Sequence, residues 1–257
     1  MSAPLLTTRG VTVRFGGLTA VDGVDLTVPE GVIFGVIGPN GAGKTTFFNA
    51  ITGLVSTSSG TISFGGEDIT KLPTYRRARM GMRRTFQSVQ LLPQLTVLEN
   101  VLIGLHDHIR ENLLLSVLRP SGRSPEEEEA QQRVIDTLRF LGIGHTLFKR
   151  PVELSFAEQR FVEIARALVA KPRILMLDEP AAGLSPPEVA ALDALLRRIC
   201  AESGITILLV EHVLSLVLEV SERITVLDNG RRIAEGTPRE VQADERVKAA
   251  YLGDEHA

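Results

Sequence analysis

The chain has 257 residues, 44% of them hydrophobic, and a formal charge of −3. A sizeable core is therefore available, and general attraction to nucleic acid or to an anionic membrane is not expected. No apolar stretch approaches the roughly 20 residues needed to span a bilayer, residues 1–10 lack a signal-peptide layout, and the lone Cys200 excludes an internal disulfide, so a soluble cytosolic protein is predicted.

Taken in chain order, residues 5–15 and 18–28 read as antiparallel strands around the Gly16-Gly17 turn, and residues 61–64 with Gly65-Gly66 continue that β-rich edge. Residues 32–37, 174–177 and 205–210 are short apolar runs beside predicted helices, the pattern of buried, mostly parallel strands. A further short strand is predicted at 83–86. Arg76, Arg77, Arg79, Arg83 and Arg84 read as a solvated basic face. Thr96 with Glu99 is a capping-box pattern opening a helix over 96–105, and Ser124, Pro125 and Glu127 repeat it before a helix that stops at Gly142. Between them, 106–122 is an irregular insertion in which Leu113-Leu114-Leu115 is expected to pack against a neighbour. His106, Asp107 and His108 in this region read as loop surface rather than metal ligands. Asn229-Gly230, between apolar runs at 224–227 and 232–234, is a two-residue hairpin signal. The predicted architecture is α/β, with a mostly parallel sheet and an antiparallel β part in 1–86 and 155–235. A helical subdomain at 87–154 interrupts it, and a helical tail follows at 236–257.

Two motifs carry chemistry. The first, Gly38-Pro39-Asn40-Gly41-Ala42-Gly43-Lys44-Thr45 followed by Thr46, has the spacing of a phosphate-binding loop between a strand and a helix. Its glycines let backbone N–H groups wrap phosphate oxygens, and the helix adds its positive N-terminal end. Lys44 is placed for the β- and γ-phosphates and Thr45 for Mg²⁺. The second is the apolar strand ending in Asp178-Glu179. Strand geometry turns these two carboxylates to opposite faces, so Asp178 is assigned to Mg²⁺ and Glu179 to deprotonating the water that attacks the γ-phosphate.

Leu154-Ser155-Phe156-Ala157-Glu158-Gln159-Arg160, shortly before that strand, resembles the signature segment of ABC transporter ATPases. The order of phosphate loop, signature, Asp-Glu strand and later histidine is similar to that family across nearly the whole chain, a phosphate-loop NTPase fold. The resemblance implies Phe15 stacking on adenine, Gln87 reaching Mg²⁺ and the attacking water, Ala182-Gly183-Leu184-Ser185 crossing to a partner subunit, and His212 contacting the γ-phosphate. It also implies that Ser155, Ala157 and Glu158 close over ATP held by a second ATPase subunit. The family usually has glycine-glycine-glutamine where this chain has Phe156, Ala157 and Glu158. Ser155 with Glu158 is a capping box, so Ala157 is expected to be helical without needing glycine, and the segment to close in weakened or altered form rather than be dead.

The insertion after Leu105, Glu163-Ile164-Ala165-Arg166, Ala181-Ala182-Gly183-Leu184 and Tyr251-Leu252-Gly253 resemble the ATP-binding subunits of branched-chain amino acid importers, and of related urea and amide importers. The resemblance implies ATP and Mg²⁺ as cofactors, membrane permease subunits and, indirectly, a solute-binding protein as partners, no nucleic acid, and a place on the inner face of the membrane. A groove near Gln87 would receive a short helix of the permease, and Arg76, Arg77, Arg79, Arg83 and Arg84 could alternatively face that partner or lipid headgroups. A soluble ABC-type ATPase and a low-turnover ATP-binding regulatory module are the competing readings.

Overall fold

The computed structural model describes residues 4–106, 125–212 and 214–252. The insertion residues Leu113-Leu114-Leu115, Asp107, His108 and the Ser124 of the second predicted capping box lie outside them, as does Gly253. The chain divides into two compact units, Met1–Arg84 with Arg173–Ala257, and Thr85–Pro172.

In the first unit a twelve-residue hairpin pair, β1 (Pro4–Phe15) and β2 (Leu18–Pro29), begins a four-stranded antiparallel sheet completed by β4 (Ser59–Phe64) and β5 (Glu67–Asp68). Its order is β2-β1-β4-β5, and the β1–β2 register closes on Phe15 opposite Leu18. The second sheet has the order β10-β9-β3-β8-β7-β6. It comprises β3 (Ile33–Ile37), β6 (Met82–Arg84), β7 (Ile174–Asp178), β8 (Thr206–Val210), β9 (Arg223–Asp228) and β10 (Arg231–Gly236). Strands β6, β7, β8, β3 and β9 are parallel, and only β10 turns back antiparallel on β9. Every residue of β3, β7 and β8 is buried, which is why they read as unbroken apolar runs rather than alternating ones. The β9–β10 turn holds Asn229 at φ +46° and Gly230 at φ +77°, the left-handed pair that a two-residue hairpin loop requires.

Helix α1 (Lys44–Thr52) follows β3 and packs Phe47, Phe48 and Ile51 into a core shared with Phe34, Val36, Leu26 and Ile62. The short helix α2 (Thr74–Arg79) precedes β6. The expected solvated arginine face forms only in part, with Arg76 and Arg79 exposed. Arg77 is buried, and donates through Nη1 to the carbonyls of Ala50 (2.8 Å) and Ile51 (2.6 Å), through Nε to Leu72 and through Nη2 to Thr70. The C-terminal carbonyls of α1 need donors and a planar guanidinium supplies several at once. Arg84 is likewise turned inward. The predicted strand at 83–86 is shorter than expected, ending at Arg84.

The second unit is helical. It contains α3 (Val97–Leu102), continued by a 3₁₀ turn at Ile103–Leu105, then α4 (Pro125–Phe140) and α5 (Phe156–Leu168). Thr96 caps α3 with a complete capping box to Glu99, as the sequence predicts. The unit is wider than the 87–154 span expected, because α5 packs on α3 and α4, helices on which Val97, Val101, Val134, Leu138, Val162 and Ala165 are buried. Its charged pair, Arg160 and Glu163, is 3.1 Å apart with both side chains 1% exposed. Arg160 also donates to the carbonyls of Phe86 (3.0 Å) and Gln87 (2.9 Å), while Glu163 accepts from the Gln90 N–H. Burial pushes the Glu163 carboxyl up, with Arg160 opposing.

After β7 come α6 (Pro186–Ser203), α7 (Leu214–Val220), and, following β10, α8 (Pro238–Ala243) and α9 (Glu245–Leu252). Cys200 lies on α6, its thiol directed at the Gly31 carbonyl. Among the described residues, no helix is long and apolar enough to cross a membrane.

Candidate nucleotide site

The C-terminal ends of β3, β8 and β7 lie side by side, with Val36 paired to Val210 and Val210 to Asp178 in one row across the sheet. In open parallel sheets, ligands bind beyond the carboxyl ends of the strands. Residues 38–43 leave β3 at this edge and α1 begins at Lys44.

Two glycines in this loop are required by close approach. A Cβ on Gly38, at φ +154°, would lie 2.1 Å from the Leu227 carbonyl oxygen. One on Gly43, at φ +91°, would lie 2.4 Å from the Ala20 carbonyl oxygen. The loop is therefore wedged against β2 and the end of β9, and the Gly230 N–H donates to the Ala42 carbonyl at 3.1 Å. Gly43 is the N-cap of α1 and offers no side-chain cap, so the first-turn N–H groups point out of the loop with the dipole behind them. Pro39 and Asn40 continue the loop, Gly41 is at φ +79°, and the Ala42 side chain is buried. Lys44 reaches back along the loop, its Nζ donating to the carbonyls of Gly38 (2.8 Å) and Pro39 (2.9 Å). Thr45 is exposed on the first turn and Thr46 is half-buried.

Asp178 is buried at the end of β7, where Arg84 Nη2 approaches Oδ2 to 2.5 Å. Burial raises the carboxyl above its ordinary range, Arg84 and Lys44 pull it down, and Glu179 adds to the rise. The strand stops at Asp178, which corrects the alternation expected for the two carboxylates. Glu179 sits at φ +48°, in the left-handed region, and it is this turn rather than the pleat that separates it from Asp178. The Glu179 N–H donates to the Val210 carbonyl at 2.8 Å. His212 Nδ1 lies 3.5 Å from Glu179 Oε2, with half the histidine side chain exposed.

Glu211, between β8 and His212, was not legible as a site residue. It is 0% exposed, accepts from the Ala181 N–H at 2.6 Å through Oε1 and from the His212 N–H at 3.1 Å through Oε2. Its only sequence signal is a carboxylate where an apolar strand ends. Arg84 was missed as the partner of Asp178 for a similar reason, its pairing being across 94 residues.

Phe15 is 50% exposed at the end of β1, so it is not a core aromatic. Ser155 caps α5 through a complete capping box with Glu158, whose other oxygen is 2.9 Å from His145 Nε2, and Ala157 is helical and buried as expected. The Phe156 ring is half exposed, with the Arg160 guanidinium 5.7 Å from its centroid. Gln87 is exposed in the helical unit, its carbonyl held by Arg160. Burial pushes the Tyr251 hydroxyl on α9 up to about 12, with the nearby Gly38 main chain opposing.

A phosphate loop beside an Asp-Glu strand end and a histidine, on a mostly parallel sheet, defines a phosphate-loop ATPase. The family model described as ABC transporter matches residues 21–182, and one described as branched-chain amino acid ATP-binding cassette transporter matches residues 231–257. The chain is 42% identical to the high-affinity branched-chain amino acid transport ATP-binding protein BraF of Pseudomonas aeruginosa, and 41% to LivG of Escherichia coli, each over 99% of this chain and 100% of the relative. Its structure is similar to a crystal structure of the ADP conformation of an ATP-binding cassette of an ABC transporter, with TM-score 0.86 and 36% identity over 98% of this chain and 100% of that one. The chain belongs to the ABC transporter family, in the branch of the branched-chain amino acid transport ATP-binding proteins.

Proposed function

We propose that the chain is the ATP-hydrolysing subunit that powers import of branched-chain amino acids, or a related small polar solute, through membrane permease subunits. The observation that carries the chemistry is the convergence of the phosphate loop, Asp178, Glu179 and His212 at the ends of three adjacent parallel strands. The solute class is supported by the names of BraF and LivG.

In this reading the loop 38–43 and Lys44 hold the triphosphate, and Phe15, exposed at its strand end, stacks on adenine. The Thr45 hydroxyl and the Asp178 carboxylate are hard oxygen donors, which suit Mg²⁺ with part of its water shell, and Gln87 is assigned to the same ion. The ion, when bound, neutralises charge on the phosphates. Glu179 accepts a proton from the attacking water while His212, 3.5 Å away, steadies the γ-phosphate. Ser155, Ala157 and Glu158 close over ATP held by a second ATPase subunit, using the N-terminal end of α5 and its dipole. A solved relative supports pairing, being described as a dimeric post-hydrolysis cassette bound to ADP and Pi. ATP favours the closed pair and hydrolysis releases it, shifting the permease between its states. The protein then lies on the cytoplasmic face of the membrane, bound to permease subunits, with a solute-binding protein as indirect partner and no nucleic acid.

The test is Glu179→Gln, weighed by light scattering with and without ATP. An ATP-dependent shift from monomer to dimer, with turnover lost, is expected. A variant that keeps wild-type turnover overturns the role of Glu179, and a monomer that binds ATP overturns closure by the two ATPase subunits alone.

A further inference from the structure

The left-handed conformation of Glu179 is sparsely populated for a residue carrying a Cβ, and it persists only where neighbouring structure fixes it. Two contacts from the end of β8 reach this turn. The Val210 carbonyl accepts from the Glu179 N–H at 2.8 Å, and Glu211 Oε1 accepts from the Ala181 N–H at 2.6 Å. Glu211 Oε2 accepts from the His212 N–H at 3.1 Å. One carboxylate therefore ties the loop that carries Glu179 to the residue that faces it, and the result is the 3.5 Å approach of His212 Nδ1 to Glu179.

An aliphatic residue would satisfy the burial of position 211 but would take the acceptor away from two main-chain N–H groups on two different loops. A fully buried carboxylate carries a desolvation cost, which is compensated here by charge-assisted bonds. We propose that Glu211 is a positioning residue for ATP hydrolysis, its buried carboxylate holding Ala181 and His212 so that Glu179 and His212 meet at the attacking water. This rests on the role of Glu179 proposed above. The bonds of Glu211 to Ala181 and His212 lie on the side of the attacking water in this reading, so its larger effect falls on the rate of the chemical step rather than on nucleotide affinity.

The experiment uses the full chain and four variants, Glu211→Gln, Glu211→Ala, Glu179→Gln and the Glu179→Gln/Glu211→Gln double variant. It measures turnover against ATP concentration, affinity for a fluorescent ATP analogue, and the Ala181 amide signal in selectively ¹⁵N-alanine-labelled protein. Displacement of a reacting group by about 1 Å costs on the order of 10²-fold in rate, and a loss approaching that is expected for Glu211→Ala. A smaller loss is expected for Glu211→Gln, whose amide keeps an acceptor for Ala181 but presents a donor to His212. Analogue affinity stays at the wild-type value and the Ala181 amide signal moves upfield as its short bond is lost. In the Glu179→Gln background, Glu211→Gln produces no further loss. Wild-type turnover in both Glu211 variants, or a parallel fall in turnover and nucleotide affinity, overturns the proposal. If Glu179→Gln itself retains turnover, the assignment of the base fails. If Glu179→Gln is inactive and neither Glu211 variant is impaired, only the positioning role fails.

Discussion

Arg84 Nη2 and Asp178 Oδ2 are 2.5 Å apart, with side-chain exposures of 8% and 3%. Arg84 also donates to Asn49 Oδ1 on α1 at 2.6 Å, so the pair fastens the phosphate-loop helix to the carboxylate strand. Removing one partner of a buried pair leaves an uncompensated charge, which costs about 3–5 kcal/mol. Arg84→Met is expected to lower the unfolding free energy by about that amount in a urea titration, and Arg84→Met with Asp178→Asn to recover part of the loss.

Arg77 makes a different prediction because its partners are carbonyls rather than a charge. Four main-chain acceptors, two of them at the end of α1, converge on one guanidinium. Lysine keeps the charge but not the planar fork. Arg77→Lys is expected to cost about 2 kcal/mol of stability, seen as an earlier denaturation midpoint, with ATP affinity unchanged.

The cap of α5 gives a pH dependence with a definite sign. The Ser155 N–H, and then the His145 and Ser155 side chains, hold the Glu158 carboxyl below its ordinary value of 4.5. The unfolded chain therefore binds the proton more readily, so the stabilisation is present above the unfolded pKa and is lost as pH falls through the folded one. Glu158→Gln should be less stable than wild type near pH ~7, and the difference should shrink toward pH ~3. Ser155→Ala should cost about 1 kcal/mol as a lost N-cap.

The Tyr251 hydroxyl on α9 lies near the Gly38 main chain at the start of the phosphate loop. Tyr251→Phe keeps the ring and removes the hydroxyl. A lost hydrogen bond of about 1 kcal/mol would weaken ATP binding by roughly fivefold if the loop loses its setting. Isothermal titration with ATP measures this, and unchanged affinity would assign the hydroxyl to packing alone.

Much of this architecture is written in local pattern. Five-residue buried strands, the Asn229-Gly230 turn and the capping boxes at Thr96 and Ser155 depend on neighbours within a few residues, and each forms where the sequence places it. The phosphate loop is local in the same sense, its glycine spacing being a requirement of backbone angle and approach.

The charged residues were not local. Arg77 and Arg84 share a run of arginines that reads as one solvated face, yet the first is spent on the end of α1 and the second on Asp178 across 94 residues. Glu211 had no partner visible in sequence, because Ala181 lies 30 residues away and meets it only once β7 and β8 are paired. The sequence by itself determined the elements, their order and the phosphate-binding chemistry, since these follow from periodicity and spacing along the chain. Only the tertiary structure decided which charges are buried and that the Glu211 carboxylate meets the Ala181 N–H. Pairing in three dimensions determines whether a charge can leave water, and no one-dimensional pattern records it.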